Sequence, residues 1–482
     1  MAINRSSVLS SLIWKLFEKG SYQIILFVVT IVLARLLSPN EYGTITLVMV
    51  LINLATVFVE GGLNTALIQK KDCSQEDYST IFYFSLFISC CIYTFLFFIS
   101  PYIARFYLKP ELISIIRILS IVLFFNAVNS VQRAYLMRNL LFKKLFVSSI
   151  ISVVLSAFIG IVMALEGYGV WALVAQQITA SFLSTIVMWY TVNWRPILAF
   201  SRSSFKTLID FGWKIFATNL TITLFINIRS LIIGKKYDPV SLAYFDKGKQ
   251  FPSLIMDNIN STIQQVMFPV LSKEQSDVAR VKQLVKRTTI LTSYIIYPLL
   301  IILFVLAKPL TILLLTDKWV AIVPFIQIFC IANLFMPIQN VNIEAIKSLG
   351  YSNVTLKLEV IKKVIDILIL FATIWIDVIA IAWGIALFNF ICVFINLGPC
   401  KRIFEYGVYE QIKDNSLLLL STTIMLLSII WIPFYINSIF LQITFVLLIG
   451  ISIYILVSSA FKVEPYLYIK RNIKEFARVS RT

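Results

Sequence analysis

Long apolar runs follow one another along almost the whole chain, and only short polar stretches separate them. A helix that crosses a bilayer needs about 20 mostly apolar residues, and we count roughly 14 runs that meet this criterion. Backbone amides in hydrocarbon must bond within their own segment, so runs of this length form helices. The pattern therefore predicts an all-α polytopic membrane protein with about 14 transmembrane helices.

Several of the predicted spans begin at a helix-capping signal, either a capping box or an Asx residue ahead of proline. These caps are Ser38 with Glu41, Ser74 with Asp77, and Asp238 ahead of Pro239. The predicted spans are 10–36, 42–69, 78–104, 111–136, 143–165, 168–192, 206–234, 240–270, 284–306, 320–347, 354–376, 378–399, 415–434 and 438–460.

Composition adds an orientation to this picture. Hydrophobic residues make up 59% of the chain and charged residues 14%, with a net charge of +18. If the N-terminus is cytoplasmic, inner linkers and the tail hold roughly 28 lysines and arginines against about 7 on the outer side, which is the positive-inside bias. We therefore expect both termini in the cytoplasm, and the charge gives no reason to expect a nucleic-acid partner.

Two matched dipeptides indicate an internal repeat. Trp14-Lys15 opens span one, and Trp213-Lys214 stands in span seven about 200 residues later, each ahead of a turn that ends in proline. Chance or independent capping is the alternative explanation of the match. With a repeat, the predicted parts are a six-helix bundle at 1–200, a second at 201–400 with an amphipathic inner linker at about 272–287, and two further transmembrane helices with a basic cytoplasmic tail at 401–482.

Polar residues recur at helical spacing within the spans, where charges are costly. They either join helices through hydrogen bonds and ion pairs or line a wet cavity, and the number on one face of span eight favours a cavity. The stripes are Lys15, Glu18, Lys19 and Tyr22 in span one; Glu60 in span two; Asn126, Asn129, Ser130 and Arg133 in span four; Asp210, Lys214, Thr218, Thr221 and Arg229 in span seven; Asp246, Gln250, Ser253, Asp257, Asn260 and Gln264 in span eight; and Asn333, Pro337, Asn340, Glu344 and Lys347 in span ten.

Catalytic and cofactor motifs are missing from the sequence. It has no G-x-x-x-x-G-K-[ST] loop for nucleotide hydrolysis, no histidine, and six cysteines without metal-ligand spacing. The outer loops are too short to build a catalytic domain. We expect a transporter and not an enzyme, with no cofactor, no metal and no disulfide.

Six segments carry a family resemblance: LARLLSPNEYG at 33–43, EGGLNTALIQK at 60–70, YGVWALVAQ at 168–176, WRP at 194–196, IRSLIIG at 228–234 and QFP at 250–252. They resemble the polysaccharide (Wzx-type) flippases of the multidrug/oligosaccharidyl-lipid/polysaccharide exporter superfamily. The resemblance covers the first 350 residues well and the last four spans mainly through hydrophobicity.

The resemblance implies two six-helix bundles around a central hydrophilic cavity, with the last two spans outside that core. It implies alternating access that moves an undecaprenyl-pyrophosphate-linked oligosaccharide from the inner to the outer leaflet of a bacterial cytoplasmic membrane. A glycan polymerase and a chain-length regulator are the expected partners. Many members carry an acidic residue where this chain has Arg229, so Glu60, Asp246 or Asp257 would have to couple an ion instead.

Within that resemblance, our hypothesis assigns roles to the stripe residues. Lys15, Lys19, Lys214 and Arg229 attract the diphosphate or sugar carboxylates, and Asp246, Gln250, Asp257 and Asn260 bond sugar hydroxyls. Glu18, Glu60 and Glu344 complete the predicted substrate pathway. The alternatives are a cation-coupled multidrug antiporter of the same superfamily and a membrane glycan polymerase or ligase, for which the outer loops are short.

Overall fold

Caps and prolines set where many helices begin. The computed structural model describes the backbone of residues 5–468 and 470, and the side chains of residues 20–261, 263, 267, 270–468 and 470. Both predicted capping boxes are present, with each serine accepting from the third helical amide and the acidic side chain reaching back. Asp238 Oδ1 accepts from the amide of Ser241 at 2.8 Å. The three predicted caps are thus confirmed.

The chain forms two compact units, and the boundary between them falls after Ala243. Helices of the first unit are α1 (Arg5–Leu36), α2 (Pro39–Glu60), α3 (Leu63–Gln69), α4 (Gln75–Tyr107), α5 (Leu112–Leu119), α6 (Val122–Arg138), α7 (Phe142–Leu165), α8 (Val170–Thr191) and α9 (Arg202–Lys236). The next helix, α10 (Pro239–Lys273), crosses the boundary. The predicted division near residues 200 and 400 stays a prediction.

The second unit continues from α10 with ten further helices and one 3₁₀ helix. These are α11 (Val278–Val305), α12 (Ala307–Leu315), the 3₁₀ helix Asp317–Ile322, α13 (Val323–Asn333), α14 (Met336–Ser348), α15 (Ser352–Thr373), α16 (Val378–Leu397), α17 (Cys400–Phe404), α18 (Val408–Ile429), α19 (Ile432–Tyr435) and α20 (Ile439–Ala460). The described residues contain no strand, so the all-α prediction is confirmed.

Ten helical segments are long and apolar enough to cross a membrane, or eleven if α13 and α14 form one bent span. The predicted number of 14 is therefore not reached within the described residues. The other three predicted spans correspond to α1, α10 and α15. The described apolar part of α1 is only Gly20–Leu36, and α10 and α15 carry many polar residues among their apolar ones.

Two predicted spans are broken instead of continuous. The span predicted at 42–69 divides into α2 and α3, because Gly61 and Gly62 adopt left-handed backbone conformations that no helix can continue through. The span predicted at 320–347 bends by 41° between α13 and α14. Pro337 stands in the first turn of α14, where its missing amide proton breaks no helical bond.

Helices α7 and α8 pack closely because α7 presents a stripe of small residues. The stripe repeats every fourth position, which lets the two backbones approach each other. A Cβ atom on Gly160 would lie 3.0 Å from the Cβ of Gln176 on α8. Ser148 and Ser184 bring their hydroxyls to 3.3 Å across the same interface. The stripe is Ser148, Ser152, Ser156, Gly160 and Ala164, and every member is buried.

The stretch predicted as an inner linker lies at the end of α10 and in the first turns of α11. Val281 and Val285, whose spacing predicted a shared apolar face, are fully buried and belong to the core of the second unit. On the opposite side, Lys286 pairs with Asp414 at 2.8 Å and so joins α11 to α18. This segment therefore contributes to packing within the second unit.

A buried polar cluster fixes α18 in the second unit. The side-chain amides of Asn342 and Gln411 bond each other in both directions, at 2.8 and 2.9 Å. Nearby, the Tyr406 hydroxyl donates to Asp414 at 2.8 Å. Burial, together with this bond, raises the pKa of Tyr406 well above its usual value, so the phenol remains a donor. The last helix is joined by the Tyr454 hydroxyl, which donates to the carbonyl of Tyr294 on α11 at 3.0 Å.

Candidate functional site

The first unit contains a polar cavity of about 360 Å³ among α1, α6, α7 and α8. One end of the cavity reaches Met137 and Phe142, on either side of the turn between α6 and α7. Its polar lining consists almost entirely of neutral amides and hydroxyls, and Arg133 is the one charged side chain among the described lining residues. The polar lining is Tyr22, Asn126, Asn129, Arg133, Ser149, Ser152, Gln177, Ser181 and Ser184.

Asn129 is the most unusual residue of this lining. It is only 1% exposed, and neither its Oδ1 nor its Nδ2 has a hydrogen-bond partner among the described protein atoms. A buried amide in that condition costs about 1–3 kcal/mol per unmet group. Gln132, one turn further along α6, is equally buried and unbonded but does not line the cavity. Asn129 is thus the residue that a bound polar molecule would satisfy.

A hydrogen bond and an electrostatic attraction link the cavity wall to α2. The Asn126 amide donates to the Thr56 hydroxyl at 3.3 Å, which fixes the orientation of that amide. Arg133 lies near enough to the carboxyl group of Glu60 to attract it electrostatically. Glu60 is the last residue of α2, directly before the glycine break. The predicted pathway residue Glu60 is not itself a lining residue, but it is electrostatically coupled to the cavity through Arg133.

The predicted polar stripe of α9 lies on an exposed face. Asp210, Lys214, Thr218 and Thr221 are all exposed, while Arg229 is half-buried. Very little of the apolar stretch of this helix is buried. Lys214 and Arg229 are fifteen residues apart, about 22 Å along a helix, so they cannot hold one phosphate together.

On α10 the predicted residues form smaller groups. Asp246 and Lys247 attract each other, and Lys247 donates to Gln250 at 3.4 Å. Asn260 accepts from Asn340 of α14 at 2.6 Å, which joins two of the predicted stripes. Asp257 is exposed.

The remaining predicted site residues lie on α14 and α1. Glu344 is buried on α14 and pairs with Lys347 at 2.9 Å, so its contact is within its own helix. Lys15, Glu18 and Lys19 lie on α1, but their side chains are outside the described residues. Tyr22, on the same predicted face of α1, does line the cavity.

Sequence reasoning missed two sets of polar residues. The α8 lining, Gln177, Ser181 and Ser184, follows i, i+4, i+7 spacing, which is a readable signal within an apolar span. On α15 four charges share one face by the same rule, and all four lie near Cys392 of α16. This α15 set is Glu359, Lys362, Lys363 and Asp366.

The arrangement can bind a polar molecule by hydrogen bonds. Within the described residues, no group of three histidine, cysteine or acidic side chains is close enough to hold a metal ion. The polar residues line a cavity and exposed helix faces, which suits recognition and passage of a hydrophilic group.

Comparison with known proteins supplies a family. A profile described as "Polysaccharide biosynthesis protein" matches residues 32–324. The succinoglycan biosynthesis transport protein ExoT of Rhizobium meliloti (strain 1021) is 23% identical over 317 residues, which cover 66% of this chain and 64% of ExoT. The chain thus matches somewhat less than two thirds of that relative's length.

Solved structures share the fold. The lipid II flippase MurJ, in an inward closed conformation, has a TM-score of 0.76 at 16% identity, covering 93% of this chain and 98% of MurJ. An inward-facing multidrug resistance MATE family transporter of the MOP superfamily has a TM-score of 0.61 at 14% identity, covering 79% and 94%. At these identities the likeness establishes the architecture alone.

Proposed function

We propose, from the premise that this chain belongs to the polysaccharide biosynthesis protein family, that it moves lipid-linked glycan repeat units across a membrane. The resemblance seen in the sequence is confirmed by that membership and by the MurJ-like fold. The chain is a multi-span membrane transporter and not an enzyme. In the proposed reaction, an undecaprenyl-pyrophosphate-linked oligosaccharide passes from the cytoplasmic to the outer leaflet for synthesis of a surface polysaccharide.

The polar face of α9 carries this proposal. The helix is long and apolar enough to cross a membrane, yet it exposes a line of charged and hydroxyl side chains. Exposing such a line to lipid tails is costly, so a polar face on a spanning helix is typical of a water-filled path. A wet path beside lipid is what the substrate needs, because its sugar and diphosphate require water while its polyprenyl tail stays in hydrocarbon.

The predicted site residues take successive roles along this path. Lys214 and Arg229 are too far apart to act on one phosphate at once, so each would attract the diphosphate at a different stage of movement. Lys15 and Lys19 are proposed to act in the same way. Hydrogen bonds from Gln250 and Asn260, with the carboxylates of α10, would bind sugar hydroxyls.

Orientation and partners belong to the same proposal. The basic linkers support a bacterial cytoplasmic membrane protein with both termini in the cytoplasm. Alternating access would open the path to each side in turn. A glycan polymerase and a chain-length regulator would act on the delivered repeat units.

Deletion of the gene tests the function directly. We expect loss of the surface polysaccharide and accumulation of lipid-linked oligosaccharide on the cytoplasmic leaflet, both reversed by the wild-type gene. Lys214→Ala with Arg229→Ala should fail to restore the polymer at normal protein level. Lys401→Ala with Arg402→Ala removes the same charge from exposed positions on α17 and should restore it. Normal polymer in the deletion strain contradicts the proposal.

A multidrug antiporter is the second candidate, because the MATE transporter shares the fold at a TM-score of 0.61. That activity would leave the polysaccharide intact in the deletion strain and would raise drug sensitivity in a cation-dependent manner. The polysaccharide level and the drug sensitivity of the deletion strain therefore distinguish the two functions.

A further inference from the structure

We propose that the polar cavity of the first unit is a binding subsite for one sugar ring of the transported glycan, with Asn129 as its central contact. This inference rests on the proposed function and names a part of the substrate that the first unit would recognise. The cavity volume of about 360 Å³ lies near the lower end of the range of about 300–1,000 Å³ for small-molecule sites. It suits a single ring better than a whole oligosaccharide.

The chemistry of the lining favours a sugar over a phosphate. Amides and hydroxyls both donate and accept hydrogen bonds, which matches the hydroxyl groups of a sugar ring. A phosphate would call for several cationic donors. Among the described lining residues only Arg133 is cationic, and the carboxyl group of Glu60 attracts it electrostatically.

Asn129 supplies the central observation. Its amide is 1% exposed, lines the cavity, and leaves both polar atoms without a protein partner. Most buried side-chain polar atoms have a hydrogen-bond partner in the protein or in ordered water, so an unbonded amide beside a polar cavity points to a molecule within that cavity. Both atoms are closed to solvent, so the side chain has to turn toward the cavity before one sugar hydroxyl accepts from Nδ2 and a neighbouring hydroxyl donates to Oδ1.

The surrounding contacts hold the site in shape. Thr56 orients the Asn126 amide at one wall. At the other, the small residues of α7 bring α8 close, and the hydroxyls of Ser148 and Ser184 come within 3.3 Å. Preorganised polar groups of this kind bind a ligand without first losing side-chain freedom.

Gln132 offers a matched control within the same helix. Like Asn129 it is a fully buried amide with both atoms unbonded, but it does not line the cavity. Asn129→Leu and Gln132→Met each replace an amide by an apolar group of similar shape. Ser181→Leu places bulk in the cavity from a different helix, which guards against a folding defect peculiar to Asn129→Leu.

The binding experiment uses the full-length protein in detergent and the methyl glycosides of glucose, galactose and N-acetylglucosamine as probes, with saturation-transfer NMR as readout. We expect wild type and Gln132→Met to bind at least one glycoside. Binding should weaken about tenfold or more in Asn129→Leu and Ser181→Leu, because two hydrogen bonds or the space for the ring are lost. Three results would each overturn the inference. Wild type and Asn129→Leu bind a glycoside equally well, or wild type binds none of the glycosides. In the third, Asn129→Leu loses binding of inorganic diphosphate instead of binding of a glycoside.

A cell experiment separates this inference from the proposed function. In the deletion strain, wild type and Gln132→Met should restore the polysaccharide, and Asn129→Leu should not at equal protein level. If the deletion strain lacks the polysaccharide and Asn129→Leu restores it fully, the subsite is wrong and the flippase function stands. If the deletion strain makes normal polymer, the proposed function itself fails.

Discussion

Helices α7 and α15 begin alike and differ on their buried faces. Each follows a turn with one left-handed residue, Leu140 at φ 56° and Gly350 at φ 84°, which are 210 residues apart. The turns share their hydrogen bonds: Leu141 N to Leu136 O at 2.9 Å corresponds to Tyr351 N to Ile346 O at 3.1 Å. Both match the bonding that ends a helix at a left-handed residue.

The same 210-residue offset aligns the buried positions of the two helices. In α7 every fourth residue is small, and the neighbouring helix comes close. In α15 the matching positions hold two leucines and two charges: Leu358, Lys362, Asp366 and Leu370. Asp366 is 5% exposed, and the side chain of Lys362 is 12% exposed.

The difference shows how the two units carry polar groups. In the first unit, α7 mainly packs, and the polar lining comes from several helices around a cavity. In the second unit, α15 itself carries a group of four charges on one face. The same kind of turn therefore precedes a helix that mainly packs in the first unit and a helix that carries charges in the second.

Removal of Asp366 should produce the largest loss of stability among the changes that test this difference between α7 and α15. Asp366→Ala removes the buried acidic side chain of a charge group that also contains Lys362 and Lys363, and removing one partner from a buried group of charges costs about 3–5 kcal/mol. The aligned Ser156→Ala removes only a bond to its own helix, Ser156 Oγ to Val153 O at 3.1 Å, and should cost less than about 1 kcal/mol. Apparent melting temperatures of the purified proteins in detergent measure both.

A double variant tests the reason for that loss. Asp366→Leu with Lys362→Leu removes opposite charges together and should recover most of the stability, since apolar replacement of a buried pair is often neutral. If the double variant is as unstable as Asp366→Ala, charge balance is not what the α15 face requires.

Opposite volume changes at the next aligned pair should both destabilise the protein. Leu370→Ala opens a cavity in α15 and should cost about 2–5 kcal/mol. Gly160→Leu overfills the contact of α7 with Gln176 and should cost about 1–3 kcal/mol. Thermal unfolding is again the measurement.

The control for Gly160→Leu is Val154→Leu, which adds bulk on the exposed side of α7. It should leave the melting temperature nearly unchanged. A Gly160→Leu protein as stable as wild type would mean that the small stripe does not set the distance between α7 and α8.

The smallest effect is expected at the two turns. Gly350→Leu forces a branched side chain into the left-handed region and should cost about 1–2 kcal/mol. Leu140→Gly relieves the same strain in the first unit, and the gain should stay below about 1 kcal/mol because glycine also frees the unfolded chain. Opposite shifts in melting temperature are expected, and shifts of the same sign would show that the turns are not equivalent.

Much of the fold was predictable because its signals are local. Apolar length and caps predicted most helix ends to within about five residues, including the capping boxes at Ser38 and Ser74, whereas α11 and α18 begin at Val278 and Val408, ahead of the predicted 284 and 415. The candidate site was predicted only in part. Asn126, Asn129 and Arg133 stood out as a stripe on one helix, but their partners Gln177 and Ser181 come from another helix more than forty residues later. Spacing on one helix does not reveal which other helix it faces.

The sequence by itself determined the class of protein, the positions of most helices and the polar residues placed within them. Those properties follow from the cost of burying backbone and charge in lipid, which acts on each segment alone. Tertiary structure decided that Asn129 lines a cavity while Gln132 does not, and that Arg133 attracts the carboxyl group of Glu60 electrostatically. Such outcomes depend on the rotation and closeness of neighbouring helices, which are set by packing between segments distant in the chain.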